Sequence, residues 1–185
     1  MPTALVLSMA PMAKPTRYWL MKSEPDVYSI DDLKKDGHTL WTGVRNYQAR
    51  NYMMGDLEDS MKPGDRFIFY HSNAEPSACV GVGQISKVRV ADPEQFNKKS
   101  DVFEPKSSKD NPRWYCAEVA FVEKFASPVS LETVRLETQL KDMLLIRKGS
   151  RLSVQPVTKE EFEHVAKLGR KRLSPKGVSQ PGDKP

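Results

Sequence analysis

Apolar residues in this chain come in short, strand-length runs broken by polar turns rather than in long helical stripes. The first run lies within Arg17-Tyr18-Trp19-Leu20-Met21-Lys22 and stops at Ser23-Glu24-Pro25. Proline removes a backbone donor there and disfavours helix at Glu24. After the turn signal Lys62-Pro63-Gly64-Asp65, the run Arg66 to Ser72 (RFIFYHS) is too apolar for an exposed edge and predicts a central strand. Val80 to Val90 predicts another, with Gly81 and Gly83 marking a bulge or a close backbone approach. Trp114 to Phe125 alternates in part. Arg151 to Val157 alternates clearly, placing Arg151, Ser153 and Gln155 on one face.

Helices are signalled by their ends. Ser29 can cap a short helix whose first turn holds Asp31 and Asp32, Tyr28 can staple against Leu33, and Gly37 suits the exit. A second helical segment starts at Ser130 and runs to about Thr138. The last is bounded by a Thr158/Glu161 capping box, a Val157–Phe162 staple and Gly169 at its end. Glu94 to Asn111 is charged and poor in apolar residues, and Ser107 to Pro112 reads as a loop. Strands interspersed with short helices, without regular βαβ spacing, predict an α+β fold: a compact mixed barrel in a single domain rather than a doubly wound sheet.

Composition narrows this picture. At 185 residues, 38% hydrophobic and 29% charged, the chain suits one domain with loose ends, and no apolar run approaches the ~20 residues of a membrane span. Residues 1–16 contain a short apolar run without the positive n-region of a secretory signal, and are expected to be a disordered lead. The domain is expected over 17–169 and a basic disordered tail over 170–185. The net charge of +5 resides mostly at that end, because residues 169–185 carry +4 of it. A basic tail attracts any phosphate backbone without specificity. Cys79 and Cys116 each sit in a strand-like apolar run and are expected to be buried, reduced thiols of a cytoplasmic protein, or a nuclear one in a eukaryote.

The densest chemistry lies between Trp41 and Asn51, WTGVRNYQARN. From Arg45 onward, Arg45, Asn46, Gln48, Arg50 and Asn51 bring guanidinium and amide groups without a carboxylate. Such groups make paired planar hydrogen bonds, and an indole offers a stacking face, so the set suits a flat, heteroatom-rich ligand such as a nucleobase. A solvated helix with a structural tryptophan would use the same residues. On a helical wheel, however, the apolar members Tyr47, Ala49, Tyr52, Met53 and Met54 scatter over both sides.

YWLMKSEP at Tyr18 to Pro25, WTGVRNYQARN at Trp41 to Asn51, FYHS at Phe69 to Ser72 and RLSVQPV at Arg151 to Val157 together resemble the EVE domain family, in the family's order. The resemblance implies a PUA-like fold, a small mixed β-barrel flanked by short helices and related to YTH domains. It also implies a reader of modified bases, notably modified cytosine in DNA or a modified base in RNA. Nucleic acid carrying that base is the implied partner, with an unidentified effector protein as a further one, and no membrane and no cofactor or metal. By position, Ser23 and Glu24 would belong to one pocket wall, Trp41 would sit at the pocket, and Gly43, Val44, Arg45 and Asn46 would supply the next wall. Tyr47 and Arg50 would reach base or phosphate, His71 and Ser72 would close the site, and Arg151 with Ser153 would bring donors. Trp41→Ala should then weaken base binding and leave the fold intact.

Two other classes compete. A base-processing enzyme could draw on His71, Ser72 and Tyr70 with Glu24 or Asp65, but the chain has three histidines, no G-x-S-x-G pattern and no metal-spaced His/Cys cluster. A protein-interaction module with a vestigial pocket would need none of this chemistry. His38 and His164 read as surface positions. Val80-Gly81-Val82-Gly83 lacks the third glycine of a dinucleotide fingerprint.

Overall fold

The computed structural model describes residues 15–171, so the expected lead and tail lie almost wholly outside the described residues. In chain order the elements are β1 (Tyr18–Ser23), α1 (Ile30–Asp36), β2 (His38–Leu40), α2 (Tyr47–Met54), β3 (Arg66–His71) and β4 (Ala78–Ala91). Then come β5 (Tyr115–Ser130), α3 (Leu131–Leu136), β6 (Val154–Val157) and α4 (Lys159–Arg170). The strands form one mixed sheet ordered β2-β5-β4-β3-β1-β6. Only β1 and β3 run parallel; the other neighbours are antiparallel. This is the predicted α+β class, a mixed sheet flanked by helices.

Both faces of the sheet are buried, which explains why RFIFY reads as a continuous apolar run. Trp19 and Met21 of β1 and Phe67 and Phe69 of β3 point into one core, with Ile30 and Leu33 of α1 and Ala49 and Met53 of α2. Leu20, Ile68 and Tyr70 point into the other, under Val134 of α3 and Phe162, Val165 and Ala166 of α4. Asp65, 3% exposed, ties the start of the parallel pair together. Its carboxylate accepts from Trp19 Nε1 at 3.0 Å, Arg17 N at 3.0 Å and Lys62 N at 2.9 Å.

Local signals were read well where the partners are close in sequence. Ser29 with Asp32 and Thr158 with Glu161 both form reciprocal capping boxes, and Gly37 caps the exit of α1 at φ +77°. Ser130 caps α3 by accepting from Thr133 N. Cys79 and Cys116 are free and buried, and burial pushes both thiols up to about 12. Gly81 and Gly83 are both bulge and close approach: the β4 register shifts beside each. A Cβ at Gly81 would lie 2.4 Å from the Glu123 carbonyl, and one at Gly83 would lie 2.2 Å from the Phe67 ring.

Other expectations change. Gly169 does not end the last helix, which continues through Arg170. It is small because the Phe125 ring lies 2.3 Å from where its Cβ would be. Arg170, expected in the tail, is helical and forks onto Glu123 with bonds from 2.5 to 3.1 Å. The late strand is shorter than Arg151 to Val157, and its polar residues do not share a solvent face. Gln155 is fully buried, with Nε2 donating to Ser150 Oγ and Leu152 O, both at 2.9 Å. His38 is exposed, whereas His164 is half-buried against Glu137 at 2.7 Å. The three-residue β2 was not anticipated; it pairs with β5 and delivers Trp41.

Candidate functional site

A recess of about 510 Å³ is lined by residues from the ends of β1 and β2, which are not neighbours in the sheet. That volume is in the range of small-molecule sites. Lys22, Ser23 and Glu24 leave β1 along one wall, and Val27 and Tyr28 come from the loop into α1. Thr39 and Leu40 of β2 lead into Trp41, Thr42, Gly43, Val44 and Arg45, and Ser153 closes the site from the approach to β6.

Trp41 anchors the wall. Its backbone N–H donates to Ala117 O at 2.8 Å, continuing the β2–β5 pairing. Its indole meets Phe67 and Phe69 edge-on, at 5.7 and 5.1 Å between centroids. At 7% exposed it offers the recess a narrow strip and spends most of its surface in the core. The chain then turns at Gly43, φ +82°, a conformation that only glycine adopts without strain.

Asp92, 1% exposed, holds this turn from beneath. Its Oδ2 accepts from Gly43 N at 2.9 Å and Arg45 Nη1 at 2.7 Å, and its Oδ1 caps the 3-10 turn Pro93–Phe96. Arg45 also donates to Val102 O from Nε at 2.9 Å and Nη2 at 2.6 Å, and to Val44 O at 3.1 Å. Most of its donor capacity is therefore used within the protein, so Arg45 shapes the wall more than it reads a ligand.

The opposite wall is held in the same way. Ser23 Oγ donates to Tyr28 O at 2.8 Å, which leaves its oxygen lone pairs to accept. Ser23 O accepts from Ser72 N at 3.0 Å, and Lys22 N donates to Ser153 O at 2.8 Å. Glu24 Oε1 accepts from Asn73 Nδ2 at 2.6 Å. Tyr28 donates to Asp36 at 2.9 Å, and burial with that bond pushes its phenol up to about 12, so it stays a neutral donor. Burial holds the Lys22 ammonium below its ordinary pKa, and no carboxylate among the described residues lies in ion-pair range of it.

The EVE domain model matches residues 17–168. The chain belongs to the EVE family. Thymocyte nuclear protein 1 of Danio rerio is 41% identical over 169 residues, covering 81% of this chain and 71% of the relative. The crystal structure of human THYN1 in complex with 5-methylcytosine-containing DNA superposes with a TM-score of 0.75 at 37% identity, covering 84% of this chain and 99% of that one. A YTH domain of Zygosaccharomyces rouxii MRB1 protein, solved with N6-methyladenosine RNA, superposes with a TM-score of 0.51. It covers 93% of this chain and 98% of that one, and at 12% identity it shows a shared fold alone.

Within this EVE domain the expected site residues divide. Ser23, Glu24, Trp41, Gly43, Val44, Arg45 and Ser153 line the recess. Asn46 does not: its Oδ1 accepts from Ala49 N at 3.1 Å, the N-cap bond of α2. His71 and Ser72 stand behind the wall. His71 Nε2 accepts from Ile30 N at 3.1 Å, which requires neutral imidazole, and burial lowers its pKa accordingly. Tyr47 and Arg50 lie on an outer stack described below, and Arg151 is exposed and outside the lining. The expectation that Trp41→Ala spares the fold is overturned by the indole's place in the core. Asp92 was missed. Asp-Pro after a strand signals a cap, but nothing local reports its reach across 49 residues to Gly43.

Proposed function

We propose that this EVE protein binds a modified nucleobase, a modified cytosine in DNA first of all, in the recess between the ends of β1 and β2. The observation that carries this reading is the pairing of Ser23 with the Trp41–Arg45 wall across a cavity of about 510 Å³ in an EVE domain. The complex of the related human THYN1 with 5-methylcytosine-containing DNA supports it.

The chemistry suits a cytosine edge. Cytosine presents an N4–H₂ donor beside ring acceptors. Ser23 Oγ and the second Glu24 oxygen supply acceptors, while the Lys22 ammonium supplies donors. A base leaving a duplex costs a few kcal/mol, and full stacking on an aromatic returns about 1 to 3 kcal/mol. The narrow strip of Trp41 returns the lower part of that range, so edge hydrogen bonds carry most of the binding. One methyl in an apolar niche adds about 1 kcal/mol, a preference of about tenfold or less.

The test is titration by calorimetry with free modified and unmodified nucleosides, followed by matched DNA and RNA oligonucleotides. Binding without turnover, with a preference for a modified cytosine in DNA, is expected. Ser23→Ala should weaken it about fivefold through one lost hydrogen bond. A chemically altered ligand would replace this reading with an enzyme, and no binding to any base would replace it with an interaction module. A nuclear setting belongs to the same reading, given the relatives named thymocyte nuclear protein 1. Among the described residues no helix is long and apolar enough to cross a membrane.

A further inference from the structure

The second half of the Trp41–Asn51 segment builds a surface of another kind beside the recess. Tyr47 stacks on Trp114 with 4.8 Å between centroids and 26° between planes. The Arg45 guanidinium lies over Trp114 at 5.3 Å, and Arg50 lies 4.8 Å from the Tyr47 ring and 5.9 Å from that of Trp114. A group on the far face of Tyr47 would be much farther from Trp114, so Arg50 lies over Tyr47 on the side toward Trp114. The outer face of Tyr47 is left to solvent, and the residue is 52% exposed.

The charge on this surface is compensated only through space, by the Glu104 carboxylate acting on Arg113 without an ion pair. Arg50 is oriented by neutral acceptors, Arg113 O at 3.0 Å and Asn51 Oδ1 at 2.8 and 3.2 Å. Arg113 donates to Tyr47 Oη at 3.3 Å. Among the described residues neither guanidinium forms an ion pair; the carboxylate at the stack, Glu104, accepts from Trp114 Nε1 at 3.3 Å. A staple holding the loop before β5 onto α2 would need the rings. It would not need an exposed tyrosine or two guanidiniums without an ion pair. Arg45 joins the regions, because the same side chain lines the recess and covers Trp114.

We propose that Tyr47, Arg50 and Arg113 form a subsite for the nucleotide next to the base held in the recess. The flanking base lies on the outer face of Tyr47, and the phosphodiester between the two bases meets Arg50 and Arg113. A guanidinium pair suits phosphate, and an exposed ring accepts any base, so the subsite adds grip without reading sequence. This rests on the base-binding reading only in placing the extruded base next door.

Fluorescence anisotropy of the full chain with a short single-stranded oligonucleotide carrying one 5-methylcytosine, and with its unmodified twin, tests this over a series of salt concentrations. Free 5-methyl-2′-deoxycytidine is titrated in parallel. The double variant Arg50→Gln/Arg113→Gln should weaken both oligonucleotides about tenfold and reduce the salt slope by about 0.7, the value for one lost phosphate contact on a single strand. Arg50→Lys should keep the slope. Tyr47→Ala should weaken the oligonucleotides about fivefold or more, Tyr47→Phe should not, and free nucleoside affinity should stay within twofold in every variant. An unchanged slope and affinity in the double variant would overturn the subsite. So would a loss shared equally by the free nucleoside, which would place these residues behind the recess. Binding of the unmodified oligonucleotide reports the subsite even where no nucleoside binds, so its failure is distinguishable from failure of the base-binding reading.

Discussion

Trp41–Arg45 and Asn46–Asn51 are adjacent in sequence and similar in chemistry, yet they build two different surfaces, one lining the recess and one beside it. The first five residues turn inward, with the indole in the core and Gly43 and Arg45 pinned on buried Asp92. The next six begin a helix, and Tyr47 and Arg50 face outward onto Trp114 and Arg113. The boundary is Asn46, whose side chain caps α2. Amide and guanidinium groups in a row do not define one site; where the backbone changes from turn to helix decides which of them a ligand meets.

The contrast is sharpest in stability. Trp41→Ala should cost about 3 to 5 kcal/mol in urea unfolding, as truncation of a large core aromatic does, whereas Tyr47→Ala should cost about 1 kcal/mol or less. Similar losses for both would erase the inward–outward distinction. Asp92→Ala comes next, at about 3 kcal/mol, because it strands the Arg45 guanidinium and the Gly43 N–H. The same variant should abolish nucleoside binding, and retained binding would mean that the turn holds its shape without the carboxylate. Asn46→Ala should cost about 1 kcal/mol by melting the first turn of α2, and Asn46→Asp should restore it. Neither should change nucleoside affinity; a loss restricted to binding would return Asn46 to the recess.

The smallest effect is a pH dependence at the back of the wall. Burial lowers the His71 pKa below its ordinary 6.5, with Asp31 opposing and Lys124 assisting. The folded state therefore holds fewer protons than the unfolded one just below pH 6.5. Stability from neutral His71 is complete above that pH and falls as the pH drops through the lowered folded value. A series of urea midpoints between pH 7 and 5 should show a decline that His71→Gln flattens. A decline of equal slope in the variant would assign it to other groups.

Much of the fold was legible because its signals are local. A capping box joins residues three apart, and a strand buried on both faces spells itself as RFIFY. Half the site was legible for a similar reason: Ser23, Trp41, Gly43 and Arg45 lie at strand ends and in the turn that follows. The rest depended on distance. His71 and Ser72 carry hydrogen-bonding groups like those of the lining residues, but bonds to Ile30 and Ser23 use them as supports. Gly169 reads as a helix terminator until Phe125 is seen against it.

By itself the sequence determined where the capped helices α1, α3 and α4 start, that the central strands would be apolar on both faces, and that donors would gather near Trp41. Backbone propensity and short-range capping settle such matters within a few residues. Only the tertiary structure decided which donors are spent on the protein and which face a ligand, because Asp92, Val102, Arg113 and Trp114 reach the segment across 47 to 66 residues or more. A hydrogen-bonding group bears on recognition only after its internal partners are known, and those partners are assembled by the sheet.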